Sequence, residues 1–305
     1  MEKYLARQPN AIRARDPDDY MNSALHYAAF NKDYEMIRFL MKCPGSDINI
    51  VDENNETPLY KGVHHRDVEL CKFLVDECGA NINHYGNFGR TPLYFAGTHC
   101  KCEEVTRFFL TKDEVNVNQR RTGGRTPLIR QCAMRIPSLA MIKIFLDHPR
   151  IDINITSNCG LSALHEILNR APIVEDEEAL KRTQPNKIWP YDMDTDISSE
   201  SVTLNTQIAE ILLKKGADPN YRDSPKSPLR LACQFGHAKA IDLLAQYGAD
   251  VNAGDRHWAT PLHWCFFSNQ SESLKALIKH KPKTDSKHKI FFITPIEGVF
   301  KQDHH

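Results

Sequence analysis

The 305-residue chain predicts an all-α solenoid of helix-turn-helix repeats, about seven of them with terminal caps. Three observations carry that expectation. A hydroxyl-Pro-Leu opening recurs as Thr57-Pro58-Leu59, Thr91-Pro92-Leu93, Thr126-Pro127-Leu128, Ser227-Pro228-Leu229 and Thr260-Pro261-Leu262, with softer copies at Ser23-Ala24-Leu25 and Ser162-Ala163-Leu164. Its leucines stand at 25, 59, 93, 128, 164, 229 and 262, so the steps are 34, 34, 35, 36, 65 and 33. After each opening, apolar residues return at three- and four-residue spacings, the stripe of an amphipathic helix.

The clearest unit runs from Ser227 to Asn252. Ser227 can cap a helix, and Pro228 suits the first helical position, where its missing N–H costs nothing. Leu229, Leu231, Ala232 and Cys233 form a short apolar helix, and Gly236-His237 turns the chain. Ala240, Ile241, Leu243 and Leu244 line a second helix, which Gly248 stops because glycine accepts a left-handed cap.

The other elements follow in order. Residues 1–17 lack the opening and are expected to form a polar N-terminal cap ahead of a single array over 18–305. Repeats one to four open at Ser23, Thr57, Thr91 and Thr126, with second-helix stripes such as Met36, Ile37, Phe39 and Leu40. Repeat five opens at Ser162, yet Ile208, Ile211 and Leu212 arrive one period late. Residues 171–203 between them are acidic, contain three prolines and keep no period, so they read as an inserted surface loop. Repeats six and seven follow, and from about 286 Thr294-Pro295-Ile296 begins half a unit that caps the array.

The Thr-Pro-Leu opening, the helix pair and the period resemble the ankyrin-repeat family over about residues 18–300. That resemblance implies a solenoid with β-turn fingers and a non-catalytic role in binding another protein. His26, His165 and His263 occupy the histidine of the family's opening, which implies hydrogen bonds within and between turns. Asn49, Asn83, Asn118, Asn154, Asn220 and Asn252 look like turn asparagines bonding nearby backbone. In the family some such asparagines are hydroxylated. Leu212 and Leu244, eight residues before Asn220 and Asn252, weakly match that preference.

Composition narrows the function classes. Lys+Arg and Asp+Glu both number 39, so no global charge draws the chain to nucleic acid or an anionic membrane. No apolar run approaches a membrane span, and the nine scattered cysteines suit reduced thiols in the cytoplasm or nucleus. His65-Arg66-Asp67 imitates a kinase triplet without the other kinase motifs, and reads as an inter-helix turn. Arg121-Thr122-Gly123-Gly124-Arg125 lacks the Gly-Lys-Ser/Thr ending of a phosphate loop, and reads as a glycine turn. His99-Cys100-Lys101-Cys102 has no second ligand pair. No catalytic residue, cofactor or metal is expected.

What remains is surface recognition. By the resemblance, partners contact the turn tips and first helices, which together line a concave face. Tyr20, Phe88, Arg90, Arg125, His257 and Trp258 precede the capping hydroxyls there. Arg90 and Arg125 hold equivalent places in adjacent repeats, and Arg120, Arg121 and Arg130 are close in sequence. Guanidiniums so gathered suit an acidic or phosphorylated segment, which Arg grips bidentately. The plain alternative is solubilising charge balanced by Glu103, Glu104, Asp113 and Glu114, or cover by the chain's own acidic insertion. Trp189 and Tyr191 in that insertion either fold back on the array or form a docking motif. Two further roles fit the same array: substrate recognition in a ubiquitin-ligase-type assembly, and a host-directed or viral effector that mimics a cellular inhibitor.

Overall fold

The computed structural model describes residues 14–169, 200–221 and 226–284. Apart from residues 14–17 and 200–203, the expected N-terminal cap, insertion and C-terminal capping repeat lie outside the described residues. The described residues fall into two compact units, one within Met1–Gln131 and Ala140–Asp152, the other within Cys132–Leu139 and Ile153–His305.

In the first unit a short ladder pairs β1 (Arg15–Asp16) antiparallel with β2 (Asn22–Ser23). Helix pairs follow. They are α1 (Ala24–Phe30) with α2 (Tyr34–Lys42), then α3 (Pro58–His64) with α4 (Val68–Lys72), which runs on as a π-helical turn, Phe73–Glu77. Next come α5 (Pro92–Phe95), extended by a π-helical turn at Ala96–Cys100, and α6 (Glu103–Leu110). Helices α7 (Pro127–Cys132) and α8 (Leu139–Leu146) complete the series.

Some openings cap through the hydroxyl, whereas the Thr57 hydroxyl makes no cap bond and has no partner among the described residues. Thr91 Oγ1 accepts from the Tyr94 N–H at 3.2 Å, with Pro92 at the first helical position. The second helices α2 and α4 start on aspartates instead: Asp33 accepts from Met36 N and Asp67 from Leu70 N, each at 2.9 Å. Each such cap is worth about 1 kcal/mol. His65-Arg66-Asp67 is therefore the turn between α3 and α4, with Asp67 also paired to Lys32 at 2.7 Å. Leu25, Leu59, Leu93 and Leu128 are all buried, so the periodic leucines form the core.

In the second unit α9 (Ala163–Leu168) packs against α10 (Glu200–Lys214), although about thirty residues separate them in sequence. Then come α11 (Pro228–Phe235), α12 (Ala238–Gln246), α13 (Pro261–Phe267) and α14 (Ser271–Ile278). First helices pack on first helices, α9 on α11 and α11 on α13, and second on second, α12 on α14. Each helix thus buries apolar surface against the next repeat as well as against its partner helix within its own.

The turn asparagines reach further than nearby backbone. The Asn83 carboxamide donates to Glu114 O at 2.6 Å and accepts from Asn116 N at 2.7 Å, in the next repeat. Asn118 does the same with Arg150 O and Asp152 N, and Asn220 with Gly248 O and Asp250 N. Asn154 reaches Gly216 O and Asp218 N, so the repeat register survives the insertion. An insertion between paired helices costs little when the stacking contacts on both sides persist.

Candidate binding surface

The turns before the first helices share one backbone device. Two residues before the capping hydroxyl, φ is positive at Met21 (58°), Asn55 (57°), Gly89 (71°), Gly124 (78°), Gly160 (72°) and Trp258 (63°). Glycine or asparagine takes this conformation readily, whereas a bulky side chain costs about 1–2 kcal/mol. Tyr20 (φ 49°) and Phe88 (φ 63°), one residue earlier, share the strain. Tyr20, Phe88 and Trp258 are also 64%, 61% and 62% exposed. Three aromatics therefore sit in solvent on backbone that disfavours them.

Within the first unit, successive turns are joined by backbone bonds. Glu53 N donates to Tyr20 O at 2.8 Å, Asn87 N to Asn54 O at 2.8 Å, and Thr122 N to Phe88 O at 2.7 Å. This places Arg90 and Arg121 on abutting turns. Arg90 lies over the Phe88 ring at 5.1 Å, and its buried Nε has no hydrogen-bond partner among the described residues, nor has Arg121 Nε. Arg125 and Arg130 are half-buried; Arg125 O accepts from Arg121 N at 3.1 Å and so closes the Arg121 turn, and Arg130 lies on α7. Exposed Arg120 turns into its own loop, its Nε donating to Gly124 O at 3.1 Å.

At the centre is Tyr94, a residue the sequence reading passed over. Burial raises its pKa, while the charges of Arg121, Arg130, Arg90 and Arg125 pull it down. Burial and then Arg90, Arg130 and Arg121 hold the His99 pKa at about 4, and His99 stacks on Phe95 with ring centroids 4.8 Å apart. Four of the expected arginines thus act on the phenol, and three of them, Arg90, Arg121 and Arg130, on the imidazole. The signal for Tyr94 was present in sequence, because Tyr60 and Tyr94 stand where three other openings carry His26, His165 and His263.

In the second unit, Asp255 accepts from His257 N at 2.8 Å and Ala259 N at 3.1 Å, building the turn that presents half-buried His257 and exposed Trp258. Arg230, 3.8 Å from the Trp264 ring, contacts the same carboxylate at 3.6 Å. Trp189 and Tyr191 lie outside the described residues. Among the described residues no group of three His, Cys, Asp or Glu could hold a metal, and no helix is long and apolar enough to cross a membrane.

A family model described as ankyrin repeats in three copies matches residues 25–121 and 200–288, more than half of the chain. The chain belongs to the ankyrin-repeat family, whose fold is generally non-catalytic and serves protein interaction. It is 40% identical over 78 residues to the ARF GTPase-activating protein Git of Drosophila melanogaster, covering 25% of this chain and 11% of that protein. It is 28% identical over 147 residues to the ADP-ribosylation factor GTPase-activating protein AGD2 of Arabidopsis thaliana, covering 37% and 19%. It is 37% identical over 75 residues to a putative ankyrin repeat protein of fowlpox virus, covering 24% and 11%. The chain therefore spans under a fifth of the length of each. The ankyrin repeat domain of Bcl-3, a member of the IkappaB protein family, superposes with a TM-score of 0.64 at 19% identity, covering 84% of this chain and 98% of that one. An ankyrin repeat domain from Acinetobacter baumannii AYE superposes with a TM-score of 0.55 at 23% identity, covering 74% and 98%.

Proposed function

We propose that the chain is a non-catalytic interaction array that binds a partner protein through the face formed by its turns and first helices. The partner offers an acidic or phosphorylated segment to the arginines of the first unit. One observation carries this reading: Arg90 and Arg121 stand on abutting turns, and among the described residues Arg90, Arg121 and Arg130 make no ion pair. Unneutralised guanidiniums repel one another and are retained at a cost unless an anion joins them. Exposed Tyr20 and Phe88 supply apolar anchors in the first unit, and His257 and Trp258 in the second.

The test is proximity labelling in cells with wild type, Arg90→Glu/Arg125→Glu, and a form with residues 172–203 replaced by a short linker. The charge reversal is expected to lose specific partners while unfolding stays cooperative. An unchanged partner set would overturn the arginine site. Loss with the linker form alone would move recognition to Trp189 and Tyr191.

A further inference from the structure

Consecutive repeats treat the same tyrosine position differently. The Tyr60 hydroxyl donates to Arg90 O and accepts from Gly86 N at 3.1 Å, so it is satisfied by the next turn. His26, one repeat earlier, does likewise, its Nε2 bonding Glu56 O at 2.9 Å. Tyr94, one repeat later, is only 1% exposed, yet its hydroxyl finds no partner among the described residues. A buried hydroxyl left unbonded costs about 1–3 kcal/mol.

The turn that should satisfy Tyr94 is chemically altered. Five residues before the capping hydroxyl, Asp52 accepts from Asn54 N and Glu56 N, each at 2.9 Å, and Asp255 serves its own turn in the same way. At the two repeats that frame Tyr94 this carboxylate is absent: Gly86 and Arg121 stand in its place. A Cβ at Gly86 would lie 3.5 Å from the Tyr60 hydroxyl, an ordinary contact, and 3.1 Å from Glu56 Cγ. Arg121 carries a side chain there and adds a charge where other turns carry the opposite one. A Cβ at Gly89 would lie 3.3 Å from Arg121 Cα, so the Arg90 and Arg121 turns are in van der Waals contact.

We propose that Arg90, Arg121 and Arg130, with the Tyr94 hydroxyl beneath them, form a pocket for one phosphoryl group on a side chain of a partner protein. This rests on the interaction reading above. Three guanidiniums without carboxylates match a dianion better than a single carboxylate, and their planar donors fit phosphoryl oxygens. Burial keeps the Tyr94 phenol protonated at neutral pH, so it can donate. The two buried Nε–H groups are further donors left open among the described residues.

The experiment is NMR titration of the full chain, following the Arg90 and Arg121 Nε–Hε signals, which reads weak binding directly. The probes are a ten-residue Gly/Ser peptide with a central phosphothreonine, its Thr and Glu counterparts, and inorganic phosphate. The phosphopeptide is expected to shift both signals, the Glu peptide to bind about tenfold more weakly, and Tyr94→Phe to lose about tenfold in affinity without a lower melting temperature. Arg90→Gln/Arg121→Gln, folded by the same criterion, should abolish binding. Equal affinity for the Glu and phosphothreonine peptides would overturn the phosphoryl assignment and leave the acidic-partner reading intact. Inorganic phosphate binding as tightly as the phosphopeptide would make this a free-anion site and overturn the partner assignment. Unchanged affinity in Tyr94→Phe removes the phenol from the pocket. No phosphopeptide binding, with partners still lost on Arg90→Glu/Arg125→Glu in cells, overturns this pocket alone.

Discussion

Tyr60 and Tyr94 hold the same place in consecutive repeats, and their hydroxyls have opposite energetics. Tyr60→Phe would remove a buried hydroxyl that bonds Arg90 O and Gly86 N, and should cost about 1 kcal/mol by denaturant unfolding, since Gly86 N keeps Arg90 O as an acceptor at 2.8 Å. Tyr94→Phe removes a hydroxyl that is already unbonded, so stability should hold or rise. A loss at Tyr94 as large as at Tyr60 would show that both phenols are satisfied. Trp258 offers a parallel contrast. Asparagine takes left-handed backbone more easily and occupies the equivalent place at Asn55, so Trp258→Asn should raise the melting temperature, by about 1 kcal/mol or less of stability. If Trp258 anchors a partner, the same change should weaken binding. Aromatic residues at Tyr20, Phe88 and Trp258 were legible in sequence as candidates. Their strain was not, because a positive φ at a non-glycine residue depends on the turn that neighbouring repeats impose.

The helices owe their start points to local chemistry and their packing to the neighbouring repeat. Gly97 lies in the π-helical turn after α5, and a Cβ there would sit 2.5 Å from the buried Phe145 ring of α8. Gly97→Ala gains helix propensity locally, yet the overpacking should win. We expect a loss of about 1–3 kcal/mol by thermal or denaturant unfolding. A neutral result would mean that Phe145 has another rotamer available. The buried Gln131 side chain also donates to Gly97 O, so this turn joins two repeats through packing and a hydrogen bond. The capping hydroxyls and the leucine register announce where α3, α5, α11 and α13 begin. The π-helical endings carried no comparable sequence signal, because they are set by contacts between repeats.

Across the whole molecule, histidines tie stability to pH. His165 is fully buried, with Ser162 N donating to its Nδ1 at 3.3 Å, and burial lowers its pKa to about 4. His26 is lowered as well, chiefly by burial, and Ser23 N donates to its Nδ1 while Nε2–H donates to Glu56 O. Protonation would remove that Nδ1 acceptor. A folded pKa below the unfolded value of 6.5 means that the unfolded chain binds the proton first. The stability these neutral imidazoles bring is therefore complete above about 6.5 and is lost as pH falls towards about 4. For His165 the loss is on the order of 3 kcal/mol. Denaturant unfolding at pH 7, 5.5 and 4.5 should show a falling midpoint, and His165→Gln should flatten that slope from a lower starting stability. A midpoint that does not move over this range would place the histidines in contact with solvent.

The recurring opening, the steps near 34 residues and the glycine stops were enough to determine the repeat, the family and the buried leucines. Those features are local or periodic, and each repeat reads the same rules at the same phase. Arg90, Arg121, Arg125 and Arg130 were also visible as a group, since equivalent positions in adjacent repeats stack. That their charges meet at Tyr94, that Arg120 turns away, and that the turn asparagines bridge to the next repeat depended on three-dimensional contact. A side chain's hydrogen-bond partner some thirty residues away is a property of how the turns abut, and Tyr94 gained its significance from the partner that its neighbouring turn withholds.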